Sequence, residues 1–208
     1  MSCNFCKKIR LKKKYQQIFK LAQPFYKKGR EKDDVHHLTV AGMMKNILKE
    51  ASLDEEVMMA AALLHDIGYA KISPDKRKTH WAKQVKKDHM KFGAELAEGI
   101  LDKADYPQEK IKQVCQIITV HDNPEIGRPI SSREAKILKE ADILWMTTEE
   151  AFWLDVKRRP EIKAEEWLEI LENRFTQEKA YTDYLKTNFA RKRTKEFIKK
   201  MKKKMESE

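Results

Sequence analysis

Six imidazoles and carboxylates stand where apolar spacing would place core residues. His36 lies four before Val40 and seven and eight before Met43 and Met44, which puts it on the inner face of its helix. His65 follows Met58, Ala61 and Ala62 at seven, four and three, and Asp66 follows Met59, Ala62 and Leu63 at the same intervals. His89 precedes Phe92, Gly93, Leu96 and Ala97 by three, four, seven and eight, and His121 follows Val114, Ile117 and Ile118 by seven, four and three. Asp142 follows Ala135 and Leu138 and precedes Trp145. Burying one such group without a partner costs roughly several kcal/mol, and an unpaired carboxylate costs more. A single buried histidine can satisfy itself locally. Six inward groups from five helices need mutual compensation, and by this reading no Lys or Arg falls on the same stripes to give it. A divalent metal gives it. Mixed imidazole and carboxylate donors suit Fe, Mn, Zn, Co or Ni, whereas Ca and Mg prefer all-oxygen shells. The set has room for one or two ions, and a carboxylate can bridge two held about 3.5–4 Å apart. Asp66 is the natural bridge, because its neighbour His65 commits that helix end to the site.

Helices must carry these groups, since apolar residues recur at helical spacing almost everywhere and no sustained period-two run occurs. Leu11, Tyr15, Ile18, Phe19 and Ala22 mark a first helix before Pro24, and His36 to Ile47 a second. Leu53 to His65 is a third, with Asp54 near its start and Gly68 just past its end. A polar loop opens at Ile72-Ser73-Pro74; Phe92 to Leu101 and Ile111 to Ile118 mark two further helices, the latter broken by Asn123-Pro124. Ser131 or Ser132 caps a helix through Ala135, Leu138 and Trp145; Trp167, Leu171 and Phe175 mark another, and a long basic helix follows from about Glu178. Trp145, Phe152, Trp153 and Trp167 fall at core-like spacing. The expectation is an all-α, compact multi-helix bundle of roughly eight to ten helices with a long basic C-terminal helix. It divides into a basic helical segment 1–30 packed on the domain, a core 31–150 and C-terminal helices 151–208 completing the same domain.

Charge is uneven. Residues 1–30 carry ten Lys/Arg and no Asp/Glu, and residues 186–208 carry ten against three, within a total of +11, so the span 31–185 is acidic. The chemistry therefore falls in an acidic middle, and nucleic acid, though a classical partner of basic chains, is not favoured. The longest apolar run, Val57 to Leu64, is too short for a transmembrane segment, and no signal peptide is visible, which points to the cytoplasm. Cys3 and Cys6 form a single C-x-x-C pair without a second, so cysteines alone cannot close a four-ligand zinc site; they and Cys115 read as reduced thiols. Walker, Gly-x-Gly, His-Glu-x-x-His and Gly-x-Ser-x-Gly patterns are missing from the sequence.

The segment Ala61-Ala62-Leu63-Leu64-His65-Asp66-Ile67-Gly68, with His36 upstream in His-x-x-Thr-Val and Asp142 downstream in Lys139-Glu140-Ala141-Asp142, resembles the HD-domain metal-dependent phosphohydrolase superfamily over about residues 30–150. His89 in His-x-x-x-Gly-Ala and His121 in Ile-x-x-x-His resemble its two-metal branches. The resemblance implies one ion on His36, His65, Asp66 and Asp142, with Asp66 bridging to a second on His89 and His121. Periodicity leaves His37 a rival of His36; the family spacing favours His36. Many members have Lys directly after the His-Asp-x-Gly run, where this chain has Tyr69 and Lys71 stands two further on.

The resulting expectation is a hydrolase cleaving a phosphoester or phosphoanhydride bond of a nucleotide or similar small phosphorylated substrate through a metal-activated hydroxide, with Asp66 as the catalytic carboxylate. Lys71 and Arg128 are candidate substrate-phosphate contacts. Lys76, Arg77 and Lys78 extend the basic loop, Asp122 is a candidate orienting carboxylate for His121, and His80 is read as exposed. A dinuclear-iron oxygenase of the same superfamily and a non-enzymatic basic nucleic-acid-binding module are the alternatives; oligomeric state stays open.

Overall fold

The computed structural model describes residues 9, 11–30, 35–79 and 81–207. The Cys3/Cys6 pair and His80 lie outside these residues. Among those described there is no strand, and the chain forms α1 (Lys13–Gly29), α2 (His36–Ile47), α3 (Glu55–Leu64), α4 (Pro74–Arg77), α5 (Lys83–Lys103), α6 (Gln108–Ile118), α7 (Arg133–Ile143), α8 (Glu149–Arg158), α9 (Ala164–Thr176), α10 (Lys179–Thr182) and α11 (Asn188–Met205). Short 3-10 turns occupy Ile67–Lys71, Asn123–Ile126 and Leu144–Thr147. The all-α expectation holds. The count exceeds the expected eight to ten because α4 and α10 are four-residue segments.

Helix α3 is the axis of the domain. Its Asp54 cap accepts from the N–H groups of Glu56 at 2.8 Å and Val57 at 3.2 Å, and every residue from Val57 to Leu64 is buried. A helix apolar on all sides needs neighbours on all sides, and α1, α2, α6 and α7 pack around it. No helix among the described residues is long and apolar enough to cross a membrane.

Three local expectations need correction. Helix α1 does not stop before Pro24 but continues through it to Gly29. The residues beyond the proline, Tyr26 and Gly29, are buried, and that packing offsets the roughly 3 kcal/mol of an interior proline. Gly68 lies past the end of α3 as expected, without the positive φ that among the described residues occurs only at Asp105 and Gly127. Its role is close approach, since a Cβ there would lie 2.0 Å from the His89 carbonyl oxygen. The basic C-terminal helix starts at Asn188 rather than near Glu178. Glu140 accepts from the N–H groups of Lys186 at 2.6 Å and Thr187 at 2.8 Å, Glu50 from Asn188 at 2.8 Å and Phe189 at 2.9 Å, and Thr187 caps by accepting from Ala190. Finally, Trp145, Phe152 and Trp167 are buried but Trp153 is 37% exposed on α8, with its ring edge against Phe152 and the Lys204 ammonium 5.8 Å away.

Candidate metal centre

The six candidate ligands converge, though only three sit on helices. His36 opens α2, His89 lies inside α5 and Asp142 is in the last turn of α7. His65 and Asp66 leave the C-terminal end of α3, and His121 lies three residues beyond α6. Helix periodicity extends one turn past each end, which is why the exits read as helix in the sequence.

Two clusters share one carboxylate. His36 Nε2 lies 3.1 Å from His65 Nε2 and 3.1 Å from Asp142 Oδ1, and His65 Nε2 is 3.5 Å from Asp142 Oδ1. Asp66 Oδ2 faces this group, 3.4 Å from His36 Nε2 and 3.5 Å from His65 Nε2. The other oxygen, Asp66 Oδ1, faces His89 Nε2 at 3.4 Å and His121 Nε2 at 3.6 Å, and those two nitrogens are 3.3 Å apart. His36, His65 and Asp66 form one group able to hold an ion, and Asp66, His89 and His121 a second.

Helix ends decide the tautomers. The last carbonyls of a helix have no intrahelical donor, and His65 Nδ1 donates to Ala62 O at 3.1 Å while His121 Nδ1 donates to Ile118 O at 2.8 Å. A carbonyl only accepts, so each Nδ1 carries a proton, and in the neutral ring it is the Nε2 lone pair that points inward. His89, whose Nδ1 is buried without a partner, is held by stacking on Tyr69 with ring centroids 4.4 Å apart. Converging lone pairs beside two carboxylates form a donor set that fits divalent transition metals.

Cations also reach this centre, contrary to the reading that the inward stripes hold none. Arg30 Nη1 donates to Asp66 Oδ2. Lys86 donates to Asp122 Oδ2 at 2.6 Å, and Lys139 donates to Asp122 Oδ1 at 2.7 Å and Glu125 Oε1 at 3.0 Å while lying 3.6 Å from Asp142 Oδ2. Lys86 precedes His89 by three and Lys139 precedes Asp142 by three, so each shares a face with a candidate ligand. That spacing was the available signal for them. Arg30, just past the end of α1, carried none.

These charges set the protonation states. Burial alone would raise Asp66, but Arg30 and His65 outweigh it and hold the carboxyl well below the usual range. Asp142 is likewise held well down, burial being outweighed by His36, His65 and Lys139, and Asp122 by Lys139 and Lys86. Burial opposes charge on Lys86 and Lys139, yet the carboxylates around them raise both. Burial lowers His36 and His89, whereas at His65 the charges of Asp66 and Asp142 overcome burial and raise the ring.

The remaining candidates lie elsewhere. His37 turns away from the cluster, stacked on Tyr26 at 3.8 Å, with both ring nitrogens buried and unpartnered. Lys71 pairs with Glu95 at 2.8 Å on the surface, and Arg128 is exposed in the loop beyond Asn123–Ile126. In the basic loop Lys78 pairs with Asp75 at 2.9 Å and Arg77 donates to Ile72 O at 2.7 Å. Asp122, its Oδ2 3.5 Å from His89 Nε2, is a buried anion against both lysines.

The HD domain family model matches residues 34–147. Comparison with curated proteins gives no match, and comparison with solved structures gives none either.

Proposed function

The chain belongs to the HD-domain family, generally one of metal-dependent hydrolases, and from that premise we propose that it hydrolyses a phosphoester or phosphoanhydride bond of a nucleotide or similar small phosphorylated molecule. The observation that carries this reading is Asp66, whose two oxygens face separate histidine pairs at 3.4–3.6 Å. One carboxylate between two nitrogen pairs suits a dinuclear hydrolytic centre. His36, His65, Asp66 and Asp142 would hold one ion, and Asp66, His89 and His121 the other.

Bound divalent ions there would supply Lewis acidity toward phosphoryl oxygens and make a water acidic enough to serve as nucleophile near neutral pH. The protein's own contribution is preorganisation. The Nδ1–H bonds of His65 and His121 to Ala62 O and Ile118 O keep both rings in the ligating tautomer. In the metal-free protein Arg30 keeps Asp66 ionised, His36, His65 and Lys139 do so for Asp142, and Lys139 and Lys86 for Asp122. The Tyr69 and Trp145 rings fix His89 and His36 by stacking and edge contact.

The test combines metal content per chain of anaerobically prepared protein with the hydrolysis products of a substrate panel: inorganic phosphate from phosphomonoesters, a monoester and an alcohol from phosphodiesters, and phosphate or pyrophosphate from nucleotides. Two ions per chain and hydrolysis of at least one substrate class, both lost in Asp66→Ala, are expected. His89→Ala and His121→Ala should each remove one ion of two. A single ion in the parent, unchanged in both histidine variants, would reject the two-metal centre; oxygen consumption with a mixed-valent iron signal and no hydrolysis would replace hydrolysis by oxidation.

A further inference from the structure

Arg30 enters the centre from outside the residues 34–147 that match the family. It follows α1 directly, its N–H bonded to Tyr26 O at 2.7 Å. Gly29 beside it packs on the backbone of the turn after Asp66, where a Cβ would come within 2.5 Å of Ala70 N. This close approach delivers the guanidinium to Asp66 Oδ2, with the Tyr69 ring flanking it at 5.6 Å. The Arg30 side chain keeps 19% exposure, against 6% for Lys139, which lies inside with Asp122. Arg30 therefore touches both the buried carboxylate and solvent; on the other side of His36 and His65, Asp142 also reaches solvent, with 19% exposure.

Two demands fall on Asp66 Oδ2. It is the oxygen turned toward the nitrogens of His36 and His65, and a dication held by those groups would repel a guanidinium on the same atom in a site of low dielectric. An arginine carries five N–H donors in a fork that matches phosphate oxygens. A cation displaced from the carboxylate at the solvent-facing side of the centre is suited to an incoming anion.

We propose that Arg30 is the clamp for the substrate's phosphate, resting on Asp66 in the metal-free protein and turning to the substrate's anion when the metals are bound. This rests on the phosphohydrolase reading and adds to it the residue that recognises the phosphate. It also gives α1, outside the family match, a part in the site.

The test uses the full chain, Mn²⁺ and inorganic phosphate as probes, and the variants Arg30→Gln and Arg30→Lys, with folding followed by circular dichroism. Calorimetry on metal-free protein should show Arg30→Gln binding Mn²⁺ at least as tightly as the parent, because a competing cation is gone. On Mn²⁺-loaded protein the same variant should bind phosphate about 10- to 100-fold more weakly. Arg30→Lys keeps the charge but loses the fork and should weaken phosphate several-fold; this variant decides the matter if Arg30→Gln does not fold. Opposite signs for metal and phosphate are the signature, since an arginine with a purely structural role would lose both together. Unchanged phosphate affinity, or joint loss of Mn²⁺ and phosphate, overturns the clamp. If the parent hydrolyses the substrate panel while the variants bind phosphate as the parent does, the clamp fails and the hydrolase stands. If the Mn²⁺-loaded parent neither hydrolyses the panel nor binds phosphate, the hydrolase reading fails with it.

Discussion

Adjacent histidines at the start of α2 meet opposite environments. His36 turns to His65 and Asp142 at 3.1 Å, while His37 turns to Tyr26 and Phe19 in the apolar core. Apolar spacing alone could not separate them, because His37 lies three before Val40 and four before Ala41, as good an inner position as that of His36. What separates them is the neighbour across the gap: the end of α3 for one ring, the aromatic face of α1 for the other. Burial, with smaller contributions from His36, His65 and Arg30, pushes His37 well below its ordinary value. Its folded value thus lies beneath the unfolded value of about 6.5. Above about 6.5 both states leave the ring neutral; below it the unfolded chain takes up a proton that the folded chain refuses, so stability falls as pH falls, by at most about 1.4 kcal/mol per pH unit. In metal-free protein, the urea midpoint of His37→Leu should gain on the parent as pH drops from 7 to 5. Metal content should be retained in this variant and lost in His36→Ala. A parallel pH dependence in variant and parent would show that His37 is not excluded from protonation in the fold.

At the scale of elements, the centre is built on helix exits. The ends of α3 and α6 offer orphan carbonyls, and His65 and His121 use them three residues on. Periodicity made these helices legible, and the residues beyond their ends looked like one more turn of the same stripe. Legible too were the cap at Asp54 and, as one of the pair Ser131 or Ser132, that at Ser132, which accepts from Ala135 N–H at 3.1 Å. Less legible were the features set by remote contacts: the run of α1 through Pro24, the start of α11 and the purpose of Gly68. In Gly68→Ala the new methyl would meet the His89 carbonyl carbon at 2.9 Å and its oxygen at 2.0 Å. Backbone cannot give way as a flexible side chain can, so α5 must move off the Ile67–Lys71 turn and carry His89 from Asp66. The expected result is roughly 1–3 kcal/mol of lost stability with loss of the ion assigned to His89 and His121 before the other. Equal loss of both ions, measured as metal per chain, would contradict that order. Glu140→Ala removes the acceptor of the Lys186 and Thr187 N–H groups and should cost about 1–3 kcal/mol. Because Glu140 lies two residues before Asp142 on α7, denaturation should show the change whether or not metal is added.

Across the whole molecule, net charge misdirects while local charge explains. The total of +11 is concentrated at the two ends, yet in the interior Asp66, Asp122 and Asp142 are matched by Arg30, Lys86 and Lys139. The sequence reading assigns the neutralisation of Asp66 and Asp142 to metal alone, because it finds no Lys or Arg on the inward stripes, although Lys86 and Lys139 stand three residues before His89 and Asp142. With three cations already inside, the fold does not depend on metal for charge balance. The metal-free chain should therefore be folded at 25 °C and neutral pH, with the helical spectrum that α1 to α11 require. Acid should unfold it, since carboxylates held below their unfolded values contribute stability that is present above about pH 4 and lost as pH falls through the folded values. Metal then acts by linkage: an ion that binds only the native state at a hundred times its dissociation constant adds about 2.7 kcal/mol. For a chain of 208 residues that corresponds to a rise in Tm of roughly 5–10 °C. Thermal scans of EDTA-treated protein against a Mn²⁺ titration should show this saturable rise in the parent and its loss in Asp66→Ala. A metal-free parent that is unfolded at 25 °C would mean that Arg30, Lys86 and Lys139 do not suffice to balance the buried acids, and that the ions are part of the fold itself.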